Sequence, residues 1–183
     1  VMTELFKKMP ELLFSISSIT RAMRVGEREG EKYNFITRER FEDMLKNDRL
    51  LEHNEFVGNY YGTPREPVER AVANGQDMVI EVDVNGAAQI REKMPEAVSI
   101  FIMPPSFAEL KRRLSGRGTE SEELIQKRLA SALGEIKRAA EYDYIVVNED
   151  ITAAADDIMS VILSSRLKTD RQTKIIDEVL SEC

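Results

Sequence analysis

The segment that decides the fold is 77–103, DMVIEVDVNGAAQIREKMPEAVSIFIM. Its first part, 77–83, is a short apolar run that predicts a buried strand, and 97–103 predicts another. The residues between them, at about 86–93, predict an amphipathic helix. A strand, a helix and a second strand in this order are typical of a parallel sheet covered by helices.

The same alternation continues on both sides of this segment. Further strands are predicted at 12–19 and 142–148. Helices are predicted at 1–10, 37–46, 64–75, 106–114 and 151–168, and a glycine-flanked loop leads into a long helix within 116–141. The stretch 33–62 departs from the pattern with shorter, more polar strands, including a hairpin over 50–62 with Gly58-Asn59 at its turn. We expect this stretch to form a small lobe inserted into the α/β core.

Composition and charge exclude several classes of protein. The chain has 183 residues, 42% of them hydrophobic, and a net charge of -7, so we expect a globular protein that does not bind nucleic acid or a membrane. No apolar run approaches the length of a membrane span and no signal peptide is recognisable, which predicts a cytoplasmic location. The single cysteine, Cys183, excludes an internal disulfide, and the lone His53 cannot form a metal cluster, so no protein-held metal is predicted.

Polar side chains cluster where the predicted strands end. Glu81 and Asp83 end one strand, Asn148 ends another, and the segment SSITRAMRVGEREGEKYNF at 17–35 follows a third. Ligands of open α/β sheets bind at the carboxyl ends of the strands. These residues are therefore candidates for a binding site.

Segment 17–35 carries positive charge in a chain that is acidic overall. Arg21 and Arg24 are either surface arginines or a pair that grips phosphate, since guanidinium groups bind phosphate in bidentate fashion. Tyr33 and Tyr61 are either core aromatics or hydroxyl donors to the same phosphate.

Two further groups of residues have an ordinary and a functional interpretation. Glu52 is either an exposed strand residue or a carboxylate that accepts hydrogen bonds from adjacent donors of a base, which guanine presents and adenine does not. Arg113, Arg117 and Arg128 are either a solvated helix face or the arginines of a mobile lid that neutralise a phosphoryl group during transfer.

The chain resembles guanylate kinases over nearly its whole length, to about residue 168. The segments that carry the resemblance are SSITRAMRVGEREGEKYNF, EFVGNYYGTP, EVDVNGAAQI, MPPSFAELKRRLSGRGTESEELIQKRL and YDYIVVN. The resemblance implies transfer of a phosphoryl group from ATP to GMP, with Mg²⁺ bridging the phosphates. It also implies a P-loop-NTPase-like parallel sheet flanked by helices, with a small inserted GMP-binding lobe and a helical lid.

The resemblance also implies roles for individual residues. Glu81 resembles the acidic position beside the triphosphate and magnesium, and Asn148 lies where the family meets the adenine of ATP. The implied lid arginines are Arg113, Arg117 and Arg128. The implied phosphate clamp is Ser17, Arg21, Arg24, Tyr33 and Tyr61, and the implied guanine-reading set is Glu52, Thr63 and Asp83.

The resemblance implies one domain over 1–183 and leaves its oligomeric state open. Its core is expected at about 1–20, 76–111 and 142–168, its GMP-binding lobe at about 21–75, its lid at about 112–141 and a tail at 169–183.

Two departures from the family pattern are visible. Ile19 replaces a threonine, which is minor. The phosphate-binding loop of the form G-x-x-G-x-G-K-[GS]-T, whose amides and lysine cradle the phosphates of ATP, is not in the sequence, which begins within the helix expected after it. We therefore expect a chain truncated at its N-terminus that binds GMP but is inactive or nearly so alone.

Two alternatives remain open at this point. One is a non-catalytic guanylate-kinase-like domain that binds phosphorylated protein partners. The other is a kinase for a different nucleoside monophosphate, against which the pair Glu52 and Asp83 argues.

Overall fold

The computed structural model describes residues 1–115 and 122–181, and the chain divides into two compact units. The first unit comprises Val1–Pro10 and Val98–Cys183, and the second comprises Glu11–Ala97. Among the described residues, no helix combines the length and the apolar character needed to cross a bilayer.

The second unit contains two sheets. Its strands are β1 (Leu13–Phe14), β2 (Ser17–Ile19), β3 (Tyr33–Phe35), β4 (Leu50–Phe56), β5 (Asn59–Pro64) and β6 (Met78–Val79). Strands β1 and β6 pair in parallel, and the other four form a sheet in the order β3-β2-β5-β4. Its helices are α2 (Arg38–Lys46), α3 (Arg65–Ala73) and α4 (Val84–Lys93).

Within its described residues, the first unit contains one parallel pair of strands, β7 (Ile100–Met103) and β8 (Tyr144–Val147). Its helices are α1 (Met2–Lys8), α5 (Phe107–Ser115), α6 (Glu122–Lys137), α7 (Ile151–Arg166) and α8 (Thr173–Ser181), with 3₁₀ turns at Arg138–Glu141 and Thr169–Arg171. Helix α1 packs against α7, where Leu5, Ala154 and Ala155 are fully buried. Lys8 forms an ion pair with Asp156 beside this contact.

The strand predicted at 12–19 is wrong as a single element. Strand β1 pairs with β6, and β2 pairs instead with β3 and β5. The chain therefore leaves one sheet and enters the other at Ser15 and Ile16. The Ser15 amide still donates to the Val79 carbonyl at 2.9 Å, so the change of partner follows immediately after it.

The strand predicted at 77–83 is shorter than expected, and the helix after it begins earlier. Only Met78 and Val79 pair with β1. Asp83 is the N-cap of α4, because its Oδ1 accepts hydrogen bonds from the amides of Asn85 and Gly86 at 2.9 and 2.8 Å. A carboxylate at this position satisfies amides that the helix itself leaves without partners.

The hairpin predicted at 50–62 is confirmed, but its turn is Val57-Gly58 and not Gly58-Asn59. Both turn residues have positive φ, 49° and 72°. This is the geometry of a type I′ turn, which fits the twist of two antiparallel strands. Asn59 is already the first residue of β5.

Strand β4 lies at the edge of the four-stranded sheet and is held there by helix α4. The Gln89 side chain accepts a hydrogen bond from the His53 amide at 3.1 Å and donates to the His53 carbonyl at 2.9 Å. Leu51, Val68 and Ile90 form the core between β4, α3 and α4. The edge strand is therefore fixed by apolar burial and by side-chain pairing to its backbone.

The close approach of β4, β5 and α2 at Gly62 generates a prediction. A Cβ on Gly62 would lie 2.8 Å from the Glu52 carbonyl oxygen and 3.0 Å from Cζ of the buried Phe41. We expect Gly62→Ala to lower the free energy of unfolding in urea by about 1–3 kcal/mol, because the backbone would have to move.

Gly134→Ala is the matched control, because its Cβ would point into open space on helix α6. We expect this variant to be up to about 1 kcal/mol more stable than the wild type, since alanine favours a helix more than glycine does. Equal stability of Gly62→Ala and the wild type would contradict the close approach.

Candidate functional site

One face of the four-stranded sheet carries five of the predicted binding residues. Glu52 is directly opposite Thr63, and Asn54 is directly opposite Tyr61. Residues directly opposite each other, or two apart on one strand, share a face. The pairing of β5 with β2 and of β2 with β3 extends this face to the opposite edge. The predicted residues on this face are Ser17, Tyr33, Glu52, Tyr61 and Thr63.

At one end of the face lies a buried carboxylate. Glu52 is 6% exposed, and its Oε1 accepts a hydrogen bond from the hydroxyl of the fully buried Thr63 at 2.7 Å. Burial raises the pKa of Glu52, an effect that the Thr63 hydrogen bond opposes and the negative charge of Asp83 reinforces. This end of the face therefore holds a strong acceptor that water reaches poorly.

Asp83 and Gly86 complete this end. The Asp83 side chain accepts from Asn54 Nδ2 at 2.9 Å through the oxygen that does not cap α4. A Cβ on Gly86 would lie 3.0 Å from Oε2 of Glu52. Glycine at this position leaves room for the Glu52 carboxylate against the first turn of α4.

At the other end lies a guanidinium group among aromatic rings. Arg21 Cζ lies 5.5 Å from the ring centroids of both Tyr33 and Phe35. A bidentate pair with Glu27 raises the pKa of Arg21, and the Tyr61 hydroxyl adds to this effect. The structure therefore brings Arg21 together with both predicted tyrosines.

Glu27 is the counterion of this end. Its Oε1 and Oε2 accept hydrogen bonds from Arg21 Nη2 and Nη1 at 2.6 and 2.7 Å. Oε2 also accepts from the backbone amide of Arg24 at 2.7 Å. The Arg21 guanidinium, with the Arg24 amide, lowers the pKa of Glu27 to about 2.

Two predicted residues of the second unit stand apart from these contacts. The side chain of Arg24 is exposed, and the described tie of this residue to Glu27 is through its backbone. Glu81 is also exposed and lies two residues beyond the end of β6.

In the first unit, a pocket lies at the end of strand β8. It is lined by Arg112, Arg113, Asn148, Glu149, Asp150 and Ile151. Arg113 donates from Nη2 to the Asn148 carbonyl at 2.9 Å and from Nε to Glu109 at 2.7 Å. Asn148 Oδ1 is buried and accepts no hydrogen bond within residues 1–115 and 122–181. The structure thus brings two predicted residues together beside an amide oxygen that can accept a ligand's hydrogen bond.

The other predicted lid residues are Arg117 and Arg128. Arg128 is half-buried on helix α6. Arg117 lies outside the described residues. Glu109 holds both Arg112 and Arg113, and these two arginines lower its pKa to about 2.

Two residues of the second unit that bind predicted site residues, Asn54 and Glu27, were not predicted from the sequence. Asn54 binds Asp83, and its position two residues after Glu52 on one strand could have shown that it shares the face. Glu27 binds Arg21, and the left-handed Gly26 beside it, with φ 89°, marks a turn that brings a side chain back toward Arg21. Within the described residues, no cluster of three or more acidic, histidine or cysteine side chains could hold a metal ion.

Comparison with known proteins identifies the class to which this fold belongs. A crystal structure of guanylate kinase from Anaplasma phagocytophilum matches with a TM-score of 0.76 at 39% identity, over 92% of this chain and 84% of that chain. The fold is therefore the P-loop-NTPase-like α/β fold that the sequence predicted. The family model for guanylate kinase matches residues 1–165.

Relatives named guanylate kinase extend the comparison. That of Desulfitobacterium hafniense (strain Y51) is 44% identical over 96% of this chain and 88% of its own length. Those of Salmonella paratyphi A and Escherichia coli K12 are 49% and 48% identical, each over 92% of this chain and 81% of its own length. The chain belongs to the guanylate kinase family, as its sequence motifs indicated.

The buried carboxylate generates a prediction about pH. Because the pKa of Glu52 is higher in the folded than in the unfolded chain, the folded protein retains this proton as the pH rises above about 4.5. Ionisation of the buried Glu52 therefore destabilises the fold. This destabilisation is complete above the raised pKa of the folded chain and absent below the pKa of the unfolded chain. We expect Glu52→Gln to gain stability relative to the wild type as the pH rises from 4 to 7.

The measurement is urea unfolding of both proteins at several pH values across this range. Glu55→Gln, which changes an exposed carboxylate of the same strand, is the control. A difference between Glu52→Gln and the wild type that stays constant from pH 4 to pH 7 would contradict the raised pKa.

Proposed function

We propose that this protein transfers the terminal phosphoryl group of ATP to GMP, giving ADP and GDP. One observation carries the proposal: a single sheet face has a buried carboxylate at one end and a guanidinium with two tyrosines at the other. Strands β4 and β3 are three strand spacings apart, roughly 14 Å, which suits a nucleotide lying across the sheet. Family membership supports the same reaction.

The carboxylate end is the proposed guanine site. Guanine presents N1–H and N2–H donors side by side, and the Glu52 carboxylate can accept from them. Thr63 donates to one Glu52 oxygen and fixes the plane of the carboxylate. Asp83, held by Asn54 and by the amides of α4, is the second proposed acceptor. Adenine lacks this pair of donors, so the site favours guanine over adenine.

The guanidinium end is the proposed phosphate site. Arg21 and Arg24 provide positive charge, and the hydroxyls of Ser17, Tyr33 and Tyr61 provide hydrogen-bond donors. A phosphate held by arginines is neutralised in part, so that its oxygen can approach another phosphate. The reaction forms a bond from this oxygen to the terminal phosphorus of ATP. It breaks the bond between that phosphorus and the oxygen that joins it to the rest of ATP, and this oxygen leaves with ADP.

The proposed ATP residues come from both units, with Glu81 from the second and the others from the first. The buried Asn148 Oδ1 suits the amino group of adenine, which supports Asn148 as the adenine contact. Arg113, Arg117 and Arg128 are the proposed lid arginines that balance charge during transfer, and Glu81 is the proposed acidic residue beside the triphosphate. Mg²⁺ would be carried by the phosphates of ATP and would reduce their negative charge.

The proposal includes a cytoplasmic location and neither nucleic acid nor membrane as a partner. The net charge of -7 supports the absence of these two partners, because phosphate backbones and acidic membrane surfaces repel such a protein.

Selective binding of GMP is the first test. We expect calorimetric titration of the 183-residue chain to show binding of GMP and much weaker binding of AMP. Glu52→Gln should weaken GMP about tenfold or more, because the charged acceptor of two hydrogen bonds is lost, while binding of inorganic phosphate stays unchanged.

Glu55→Gln is again the control and should bind GMP as the wild type does. Equal affinity of Glu52→Gln and the wild type for GMP would remove Glu52 from base recognition. If the folded wild-type chain binds a phosphorylated peptide and does not bind GMP, the non-catalytic alternative is favoured.

Catalysis needs a separate test. These 183 residues contain no G-x-x-x-x-G-K-[ST] segment, so we predict that they transfer no phosphoryl group alone. Joined behind the strand and phosphate-binding loop of a related guanylate kinase, the chain should phosphorylate GMP in the presence of MgATP. Binding of GMP by the joined protein without any transfer would overturn the proposed reaction.

A further inference from the structure

We infer that Glu27 is a positioning residue of the phosphate site, which holds Arg21 and the Arg24 backbone in the arrangement that receives the phosphate of GMP. This inference rests on the proposed function and adds a residue to it. It comes from the contacts of one carboxylate with both arginine positions of the segment 17–35.

The pattern of donors on Arg21 supports positioning. A guanidinium has five N–H donors, which form two forks, pairs of donors that can each grip an anion. The end fork has one N–H from each Nη, and the side fork has Nε–H with one N–H of Nη2. Glu27 takes the end fork through Nη1 and Nη2, and the Ala22 carbonyl takes the second Nη1 donor at 3.0 Å. The donors beyond these three are Nε–H and the second Nη2–H, which lie together on the side of the group. Glu27 therefore takes neither donor of this side fork, which faces the Tyr61 hydroxyl or a phosphate.

The surroundings of Arg21 support the same arrangement. The guanidinium lies beside the rings of Tyr33 and Phe35, and the Tyr61 hydroxyl interacts with it. Its side chain is only 13% exposed. A guanidinium held by a carboxylate and two rings loses little further freedom when it binds an anion, which favours binding.

Glu27 also shapes the turn that contains Arg24. Its carboxylate accepts the Arg24 amide, and its own amide donates to the Arg24 carbonyl at 3.1 Å. Gly26 between them has φ 89°, a conformation that other residues rarely adopt. Loss of the Glu27 carboxylate would release this turn together with Arg21.

A competing role is possible for a carboxylate at this place: it could occupy Arg21 and be displaced by phosphate. Positioning and competition predict opposite results. If Glu27 positions Arg21, its loss weakens the binding of phosphate-bearing ligands. If Glu27 competes, its loss strengthens that binding.

The experiment compares GMP with guanosine, which lacks the phosphate, by calorimetric titration of the full 183-residue chain. We expect Glu27→Gln to weaken GMP about tenfold, because an amide cannot accept both donors of the guanidinium fork. Guanosine affinity should change less than about twofold, the scatter expected for a change away from the base. Glu27→Asp keeps the charge but shortens the side chain, and we expect it to weaken GMP in the same way.

Glu31→Gln is the matched control. Glu31 is an exposed carboxylate of the same loop, paired at 3.4 Å with the exposed Arg28, and its change should leave both ligands unaffected. Equal or stronger GMP binding by Glu27→Gln would overturn the inference. An equal loss for GMP and guanosine would overturn it too, since that is the result of general unfolding of the lobe.

Failure of the proposed function would give a different result. In that case the wild-type chain itself would bind GMP no better than guanosine. If Glu27→Gln does not fold, as judged by circular dichroism, Glu27→Asp decides the question alone, and its wild-type-like preference for GMP would overturn the inference.

Discussion

The structure of the second unit depends on the burial of one carboxylate. Glu52 lies in the four-stranded sheet with 6% exposure, and a carboxylate in that environment needs a hydrogen-bond donor. Thr63 supplies it from the neighbouring strand, and Gly86 leaves space for the second carboxylate oxygen. The register of the hairpin and the position of helix α4 are thus both tied to this group. A structure arranged around a strong acceptor is suited to a ligand with adjacent donors.

The two ends of the sheet face differ in the charged groups that they contain. The carboxylate end keeps an acid away from water, so the pKa of Glu52 is raised. The guanidinium end joins Arg21 to Glu27, whose pKa falls to about 2. A nucleotide has matching ends, since its base donates hydrogen bonds and its phosphate carries negative charge. Under the proposed function, the base and the phosphate of GMP would each meet one of these two environments.

Apolar alternation predicted the α/β class, and residue types made Tyr33, Glu52 and Tyr61 candidates for a site. The P-loop-NTPase-like fold and the places of Ser17 and Thr63 in the site came from the resemblance to guanylate kinases. The sequence did not predict where the chain changes sheet, since Ser15 and Ile16 look like the interior of one strand. It placed Asp83 at a strand end, although this residue caps helix α4. Glu27 was not predicted because its ion pair with Arg21, six positions earlier, depends on the backbone conformation of the turn between them. Residue types specify that conformation only loosely.

The pairing of Gln89 with both backbone groups of His53 has a consequence for association between molecules. An edge strand normally has unpaired amides and carbonyls along its outer side. A strand of another molecule can pair with them, which leads to aggregation. Here a side-chain amide occupies the donor and the acceptor in the middle of β4. A foreign strand would have to displace Gln89 before it could pair at this position. Helix α4, whose first turn lies against Glu52, thereby also protects the middle of the β4 edge from pairing with another chain.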